Sequence, residues 1–446
     1  MINYLEKKNS MILIFFLLTF ISSSIFEKNL FGISVDLFAN IFFIIYFIFI
    51  IKWNQDFIRK YVYLLLTIIF FQIFICKINN YSFFGLTKQI VPILIIYTST
   101  YFIIMNYGFK KIFVIYENIV ILLCLFGIIQ IFLNYFDISI YQKEKWRMNS
   151  FLREPSHFGM FILPIVLKFI FEFKKLNIKL LILLFSLFWT LSVSVIFSLI
   201  ISVVLFYIWK LFSPENKLFL KSKYSFFSII VTIVFLITTF YFINFIYQNI
   251  SGSGTLNVLI NTETQIVFNN EIVNREYNYK QLFNNIIFND EFYYVIQLSI
   301  HSVTSIIKVA INTLYQNPFG AGLGSNEEAF YSFKEIYVNN TFIPDSENQL
   351  IKRYNFASKS SQSLLLRMII EFGIIFIIFL FILIIKIFKK FIFFSKEKAI
   401  IFLSLFSVII FKTTKLGSYI DYGTGFFLIS IFIILFKDNE FNRDFN

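Results

Sequence analysis

Long apolar runs, interrupted every 15 to 25 residues or so by short polar stretches, extend along almost the whole chain. A helix needs roughly 20 apolar residues to cross the hydrocarbon core, fewer where neighbours shield its ends. The pattern predicts spans near 10–26, 32–51, 61–77, 88–106, 111–133, 156–173, 178–193, 195–211, 224–246, 363–385, 398–411 and 419–436. The run 179–212 is too long for one span at about 1.5 Å per residue. Its centre, Ser192-Val193-Ser194, predicts a tight outward turn between two short helices. The expected fold is an all-α polytopic integral membrane protein with about 12 transmembrane helices. It divides into a membrane bundle over 1–246 (spans 1–9), a large outward loop over 247–363, and a second part of the bundle over 364–446 (spans 10–12). The first run, Met11 to Phe26, follows Lys7 and Lys8 as a secretory signal would. It ends in Ser22-Ser23-Ser24 without a clear small-x-small cleavage site, and many spans follow, so it is predicted to be a transmembrane helix.

The outward loop breaks the pattern. Within it, Val295 to Gln316 places Ile300, Val303, Ile307, Ala310 and Leu314 on one helical face and His301, Ser305, Lys308 and Asn312 on the other. This predicts an amphipathic helix lying on the membrane or on the bundle.

Composition agrees with a lipid solvent: 58% of residues are hydrophobic, 15% are charged, and the mean hydropathy is +0.76. Cys76 and Cys124 both lie in apolar runs, which argues against a disulfide framework. The net charge of +13 could suggest nucleic acid, but its placement excludes that partner. With the N-terminus inside, cytoplasmic segments hold 21 Lys and Arg and the short outward segments 9, so the charge bias and an even span count agree. Both termini are expected to be cytoplasmic.

Three segments carry candidate chemistry. The first is Trp146 to Gly159, where Arg147, Arg153, Glu154 and His157 precede an apolar helix and Pro155 suits its first turn. Two guanidiniums beside a helix N-terminus would hold a diphosphate, and the adjacent carboxylate could orient or deprotonate a hydroxyl. The same charges would also serve as an interfacial anchor. The second is Asn317 to Ser325, with Gly320, Gly322 and Gly324 predicting a tight turn. It is not a P-loop, since no Lys-Ser or Lys-Thr follows the glycines. The third is Ser361 to Gly373, where Arg367 and Glu371 are four apart on one helical face. Inside a membrane such a pair faces a partner or an aqueous cavity, so a structural pair and a substrate contact are both open. Asp36 and Glu117 lie near span ends and are expected to be structural. Two His and no Cys/His/Asp spacing give no support for a metal site, and no cofactor is expected.

In this order on such a chain, the three segments resemble the O-antigen and capsule polymerase family, the Wzy-type proteins, and their relatives the O-antigen ligases. In that family an R-x(n)-E-P motif opens a mid-chain span, as Arg147, Glu154 and Pro155 do here. A glycine-rich N-P turn lies late in the large loop, as Asn317, Pro318, Gly320, Gly322 and Gly324 do, and a helix with an E-x-G pair follows, matched by Glu371 and Gly373. Ligases place a His just before that helix, where this chain has Ser360, Ser361 and Gln362, which favours polymerase over ligase.

The resemblance implies a membrane glycosyltransferase that polymerises undecaprenyl-diphosphate-linked oligosaccharides into O-antigen of lipopolysaccharide, capsule or exopolysaccharide at the outer face of the bacterial cytoplasmic membrane. A chain-length regulator and a flippase would be its working partners. Catalytic roles fall to Arg147, Arg153 and Glu154, and substrate binding to His157, Asn317, Gly322, Gly324, Arg353, Arg367 and Glu371. The nearest rival is a glycan ligase. A lipid-linked sugar flippase is the rival from another class, and it would concentrate charge within the bundle and not in an external loop.

Overall fold

The computed structural model describes residues 40–41, 69–79, 83–136, 147–152, 154–172, 177–213, 263–268, 271–276, 298–332, 363–415, 417–419 and 423–436. The expected spans near 10–26 and 224–246, nearly all of 32–51 and the first part of 61–77 lie outside the described residues, as do Arg153 and Arg353.

The helices before the large loop are α1 (Ile69–Ile78), α2 (Phe83–Tyr107), α3 (Phe109–Tyr135), α4 (Pro155–Phe171), α5 (Ile178–Trp189) and α6 (Val193–Phe212). Within the loop lie strands β1 (Glu263–Phe268) and β2 (Glu271–Glu276) and helices α7 (Leu298–Gln316) and α8 (Asn326–Ser332). After it come α9 (Leu364–Phe391), α10 (Lys396–Lys415) and α11 (Thr424–Phe436). Among the described residues, four helical stretches are long and apolar enough to cross a membrane: Gly85–Tyr107, Phe109–Tyr135, Ser194–Phe212 and Leu364–Phe391. The chain is a helical membrane protein.

β1 and β2 form an antiparallel hairpin whose backbone register pairs Ile266 with Val273 and Val267 with Ile272. The helical periodicity of the loop gave no sign of this hairpin.

The main core forms around α4, which is buried on every side from Pro155 to Leu167, as expected of a helix apolar all round. α10 packs against both α4 and α6. Close approach of α4 to the start of α6 depends on Gly159, where a Cβ would stand 2.7 Å from Val195 Cγ2. Tyr116 of α3 donates its hydroxyl to the Phe161 carbonyl, and its ring meets Phe161 edge-on with centroids 5.1 Å apart. Phe426 and Phe427 of α11 complete that aromatic cluster. Glu117 pairs with Lys168 at 2.7 Å, tying α3 to the last turn of α4.

Two local expectations shift. The turn between α5 and α6 falls at Thr190-Leu191, with Leu191 at φ 47°, and not on Ser192 to Ser194. Ser192 opens α6 in extended geometry, its carbonyl accepting from Val195 and Ile196, so the serines begin the second helix. The stripe predicted for α7 is also rotated. Ile306, Lys308, Val309, Ala310 and Thr313 are buried, while Ile307 and Leu314 are half-buried. The 3.6-residue period alone does not set which face is buried. Contact with Leu366, Ile369 and Ile370 of α9 does.

Candidate functional site

Of the first segment, residues 147–152 and those from 154 onward are described, and they pack against α3 and α5. Met148 N–H donates to the Trp189 carbonyl at 3.0 Å. Ser150, at φ 51°, donates its N–H to Gln130 Oε1 at 2.9 Å and its hydroxyl to the Leu123 carbonyl at 2.9 Å. Arg147 turns toward the end of α5: its Nε donates to Thr190 O at 3.0 Å and its Nη2 to Leu191 O at 3.4 Å. A cation on the last carbonyls of a helix complements both the helix dipole and the groups the helix leaves unpaired. This geometry gives Arg147 a structural task at the α5–α6 turn.

Glu154 is the N-cap residue of α4, with Pro155 at the first helical position. Its carbonyl accepts from His157 N–H at 3.0 Å and Phe158 N–H at 3.2 Å, while its side chain makes no capping bond to the helix backbone. Glu154 Oε2 instead accepts from Ser156 Oγ at 3.3 Å and lies 3.9 Å from His157 Nε2. The Glu154 side chain is 44% exposed above a helix that is otherwise enclosed. An acidic side chain held by a hydroxyl and beside an imidazole, yet open on one side, can take part in proton transfer with a bound hydroxyl.

The second and third segments come together. α9 is broken at Gly373, with φ 58° and ψ −141°, and the glycine turn occupies the break. Ala321 N–H donates to Ile370 O at 2.7 Å, Gly322 N–H to Glu371 O at 2.9 Å, and Ile374 N–H to Pro318 O at 2.8 Å. In an unbroken helix, Ile374 N–H would bond to Ile370 O. The turn therefore inserts itself into the helix's own hydrogen-bond ladder. Gly320, Gly322 and Gly324 all have positive φ, and a Cβ on Gly373 would stand 2.2 Å from Pro318 O. Only glycine fits this crossing of two backbones.

Glu371 lies beneath the crossing and is 0% exposed. Its Oε1 accepts from Arg367 Nε at 3.0 Å and Gly324 N–H at 3.2 Å, and its Oε2 accepts from Tyr419 O–H at 2.6 Å. Arg367 also donates from Nη1 to Gly417 O at 3.2 Å and lies over the Tyr419 ring at 4.7 Å. The pair faces partners on all these sides, so its carboxylate is held by the protein itself. Asn317, at the start of the turn, accepts from Gly320 N–H through its carbonyl at 2.8 Å.

Several residues completing this assembly were not singled out from the sequence. Gln72 accepts Leu323 N–H at 2.7 Å, Asn79 donates to Gly320 O at 2.8 Å, and Tyr97 donates to the Tyr419 carbonyl at 3.1 Å. Gln72 and Asn79 were detectable as amides in or at the end of an apolar run, where an unmatched polar group is costly. Gly417 and Tyr419 carried no such signal. The structure thus brings Asn317, Gly322, Gly324, Arg367 and Glu371 into one assembly and sets Glu154 and His157 together at the mouth of α4. Among the described residues no group of three or more His, Cys, Asp or Glu is arranged to hold a metal ion. No protein-family description, no curated protein and no solved structure matches the chain.

Proposed function

We propose that this chain is a polysaccharide polymerase that extends glycans carried on undecaprenyl diphosphate at the outer face of a bacterial cytoplasmic membrane. In this reading it has about 12 spans, cytoplasmic termini and an outward 247–363 loop. The growing chain is transferred from its lipid diphosphate to a terminal sugar hydroxyl of the next lipid-linked repeat. The bond from the anomeric carbon to the diphosphate breaks, a glycosidic bond forms, and the hydroxyl proton passes to a base. Diphosphate is already a good leaving group, so the protein's part is positioning and positive charge.

The observation that carries the reading is the contrast between the two carboxylates of the motifs. Glu371 is enclosed and accepts from three protein donors, whereas Glu154 is 44% exposed with His157 beside it. Glu154 is accordingly the residue assigned to orient and deprotonate the acceptor, with Arg153 and Arg353 contributing positive charge toward the diphosphate. Arg147 supports them by fixing the connection that carries Glu154. The test is complementation of a polymerase-deficient strain with Glu154→Gln. A positioned general base contributes about 10²–10⁴-fold, so the variant should accumulate in the membrane and leave single repeats on the surface glycan. Full-length polymer from Glu154→Gln overturns the assignment. If ligation onto an acceptor stops while chain length is normal, the chain is a ligase.

A further inference from the structure

α7 has a second apolar face that α9 does not cover. Ile311 and Tyr315, four residues apart, and Phe319 just beyond the helix are 47%, 88% and 59% exposed. They lie on the side away from Ile306, Val309 and Ala310, which are buried against α9. Lys308, earlier on the outward side, is buried, so the uncovered patch is confined to the C-terminal half of α7 and the turn after it.

This patch is continuous with the outer surface of α9. A Cβ on Gly373 would lie 2.6 Å from the Phe319 carbonyl carbon, which places Phe319 at the helix break. From the next residue onward α9 shows an exposed apolar surface: Ile374, Ile375, Ile377, Ile378, Phe379 and Phe381. Before the break, Leu366 and Ile369 are partly covered by α7. Between Gly373 and the pair Lys389-Lys390, α9 rises roughly 25 Å, close to the roughly 30 Å of a hydrocarbon core. With those lysines at one headgroup layer, the break and Phe319 come to the hydrocarbon edge at the other.

We propose that Ile311, Tyr315 and Phe319 seat the C-terminal half of α7 in the bilayer at the acyl–headgroup boundary, so that α7 lies wedged between α9 and lipid. An aromatic with a hydroxyl, as at Tyr315, suits that layer because its ring enters the acyl region while its oxygen stays hydrated. The loop is thereby attached to the membrane by its own side chains as well as through α9. The proposal requires only that the chain is a membrane protein and stands apart from glycan transfer.

The full chain is reconstituted into phosphatidylcholine–phosphatidylglycerol vesicles with Ile311→Cys, Tyr315→Cys or Phe319→Cys, each carrying an environment-sensitive NBD fluorophore. Cys76 and Cys124 are buried and stay in place, with labelled wild-type chain as the background. Ser332→Cys, at an exposed position of α8, is the water-facing control. At all three positions nitroxide lipids labelled near the headgroup should quench several-fold more strongly than lipids labelled near the acyl terminus. Aqueous iodide should quench them several-fold less than it quenches the control. Iodide quenching equal to the control at Tyr315 and Phe319 overturns the proposal. So does protection that disappears in nanodiscs holding a single copy, which would make the patch a contact between two copies.

Discussion

Gly373→Ala tests whether the glycine turn and α9 form a single hydrogen-bonded unit. The added Cβ would stand 2.2 Å from Pro318 O and 2.4 Å from Gly320 N, and the residue would keep a φ of 58°. Both neighbours are backbone atoms of a turn that is itself pinned, so the turn must withdraw. Withdrawal breaks the three backbone bonds from Ala321, Gly322 and Ile374. At about 1 kcal/mol each, the loss is about 3 kcal/mol, roughly a hundredfold or more in the closed-to-open ratio. Cys76 reports that ratio, since it is buried under the turn with its Sγ 3.9 Å from Ser325 Oγ. Cys124 sits in the other, larger core and reports global unfolding. If labelling of a buried thiol follows the open population, Gly373→Ala should speed maleimide labelling of Cys76 by about two orders of magnitude. Labelling of Cys124 should be unchanged. Unchanged Cys76 labelling in a chain that still accumulates would refute the idea that the turn closes the helix break.

Glu371→Gln removes the charge from a buried pair and should destabilise the chain by about 3–5 kcal/mol, seen as a lowered thermal midpoint in detergent, whereas Glu154→Gln should leave that midpoint unchanged. Arg147→Lys loses the fork that reaches Thr190 O and Leu191 O, and should lower thermal stability by about 1–3 kcal/mol while glycan length at permissive temperature stays normal. Arg153→Lys should do the reverse, with normal stability and shortened chains on gels of surface glycan. Ser332→Cys, at an exposed position, should react with an impermeant thiol reagent from the outer face in intact cells whose outer barrier is opened. Reaction only after lysis would reverse the assigned orientation.

Where a signal was local, the sequence carried it. The apolar runs anticipate α2, α3 and α4 to within a few residues at most ends, and the four-residue spacing of Arg367 and Glu371 does place them in contact. The two glycine-bearing segments were each visible, as a turn and as a helix with a glycine. Their interlocking was not, because Ala321–Ile370 and Pro318–Ile374 are pairings between backbone groups that every residue possesses. Side-chain periodicity says nothing about such partners. For the same reason Arg147 looked like a free cation from its neighbours in sequence, while the carbonyls it meets belong to a turn 43 residues away.

The crossing of the turn with α9 also constrains how the protein is assembled. Glu371 receives bonds from Gly324, made before it, and from Tyr419, made after it, while Gln72 and Asn79 hold the turn from far upstream. When α9 is first made, Tyr419 has yet to arrive, so the carboxylate has Arg367 and Gly324 as donors but lacks its third. The break at Gly373 is complete only when the earlier turn and the later segment at Tyr419 have both met α9. A single buried carboxylate thus ties together segments that lie far apart in the sequence.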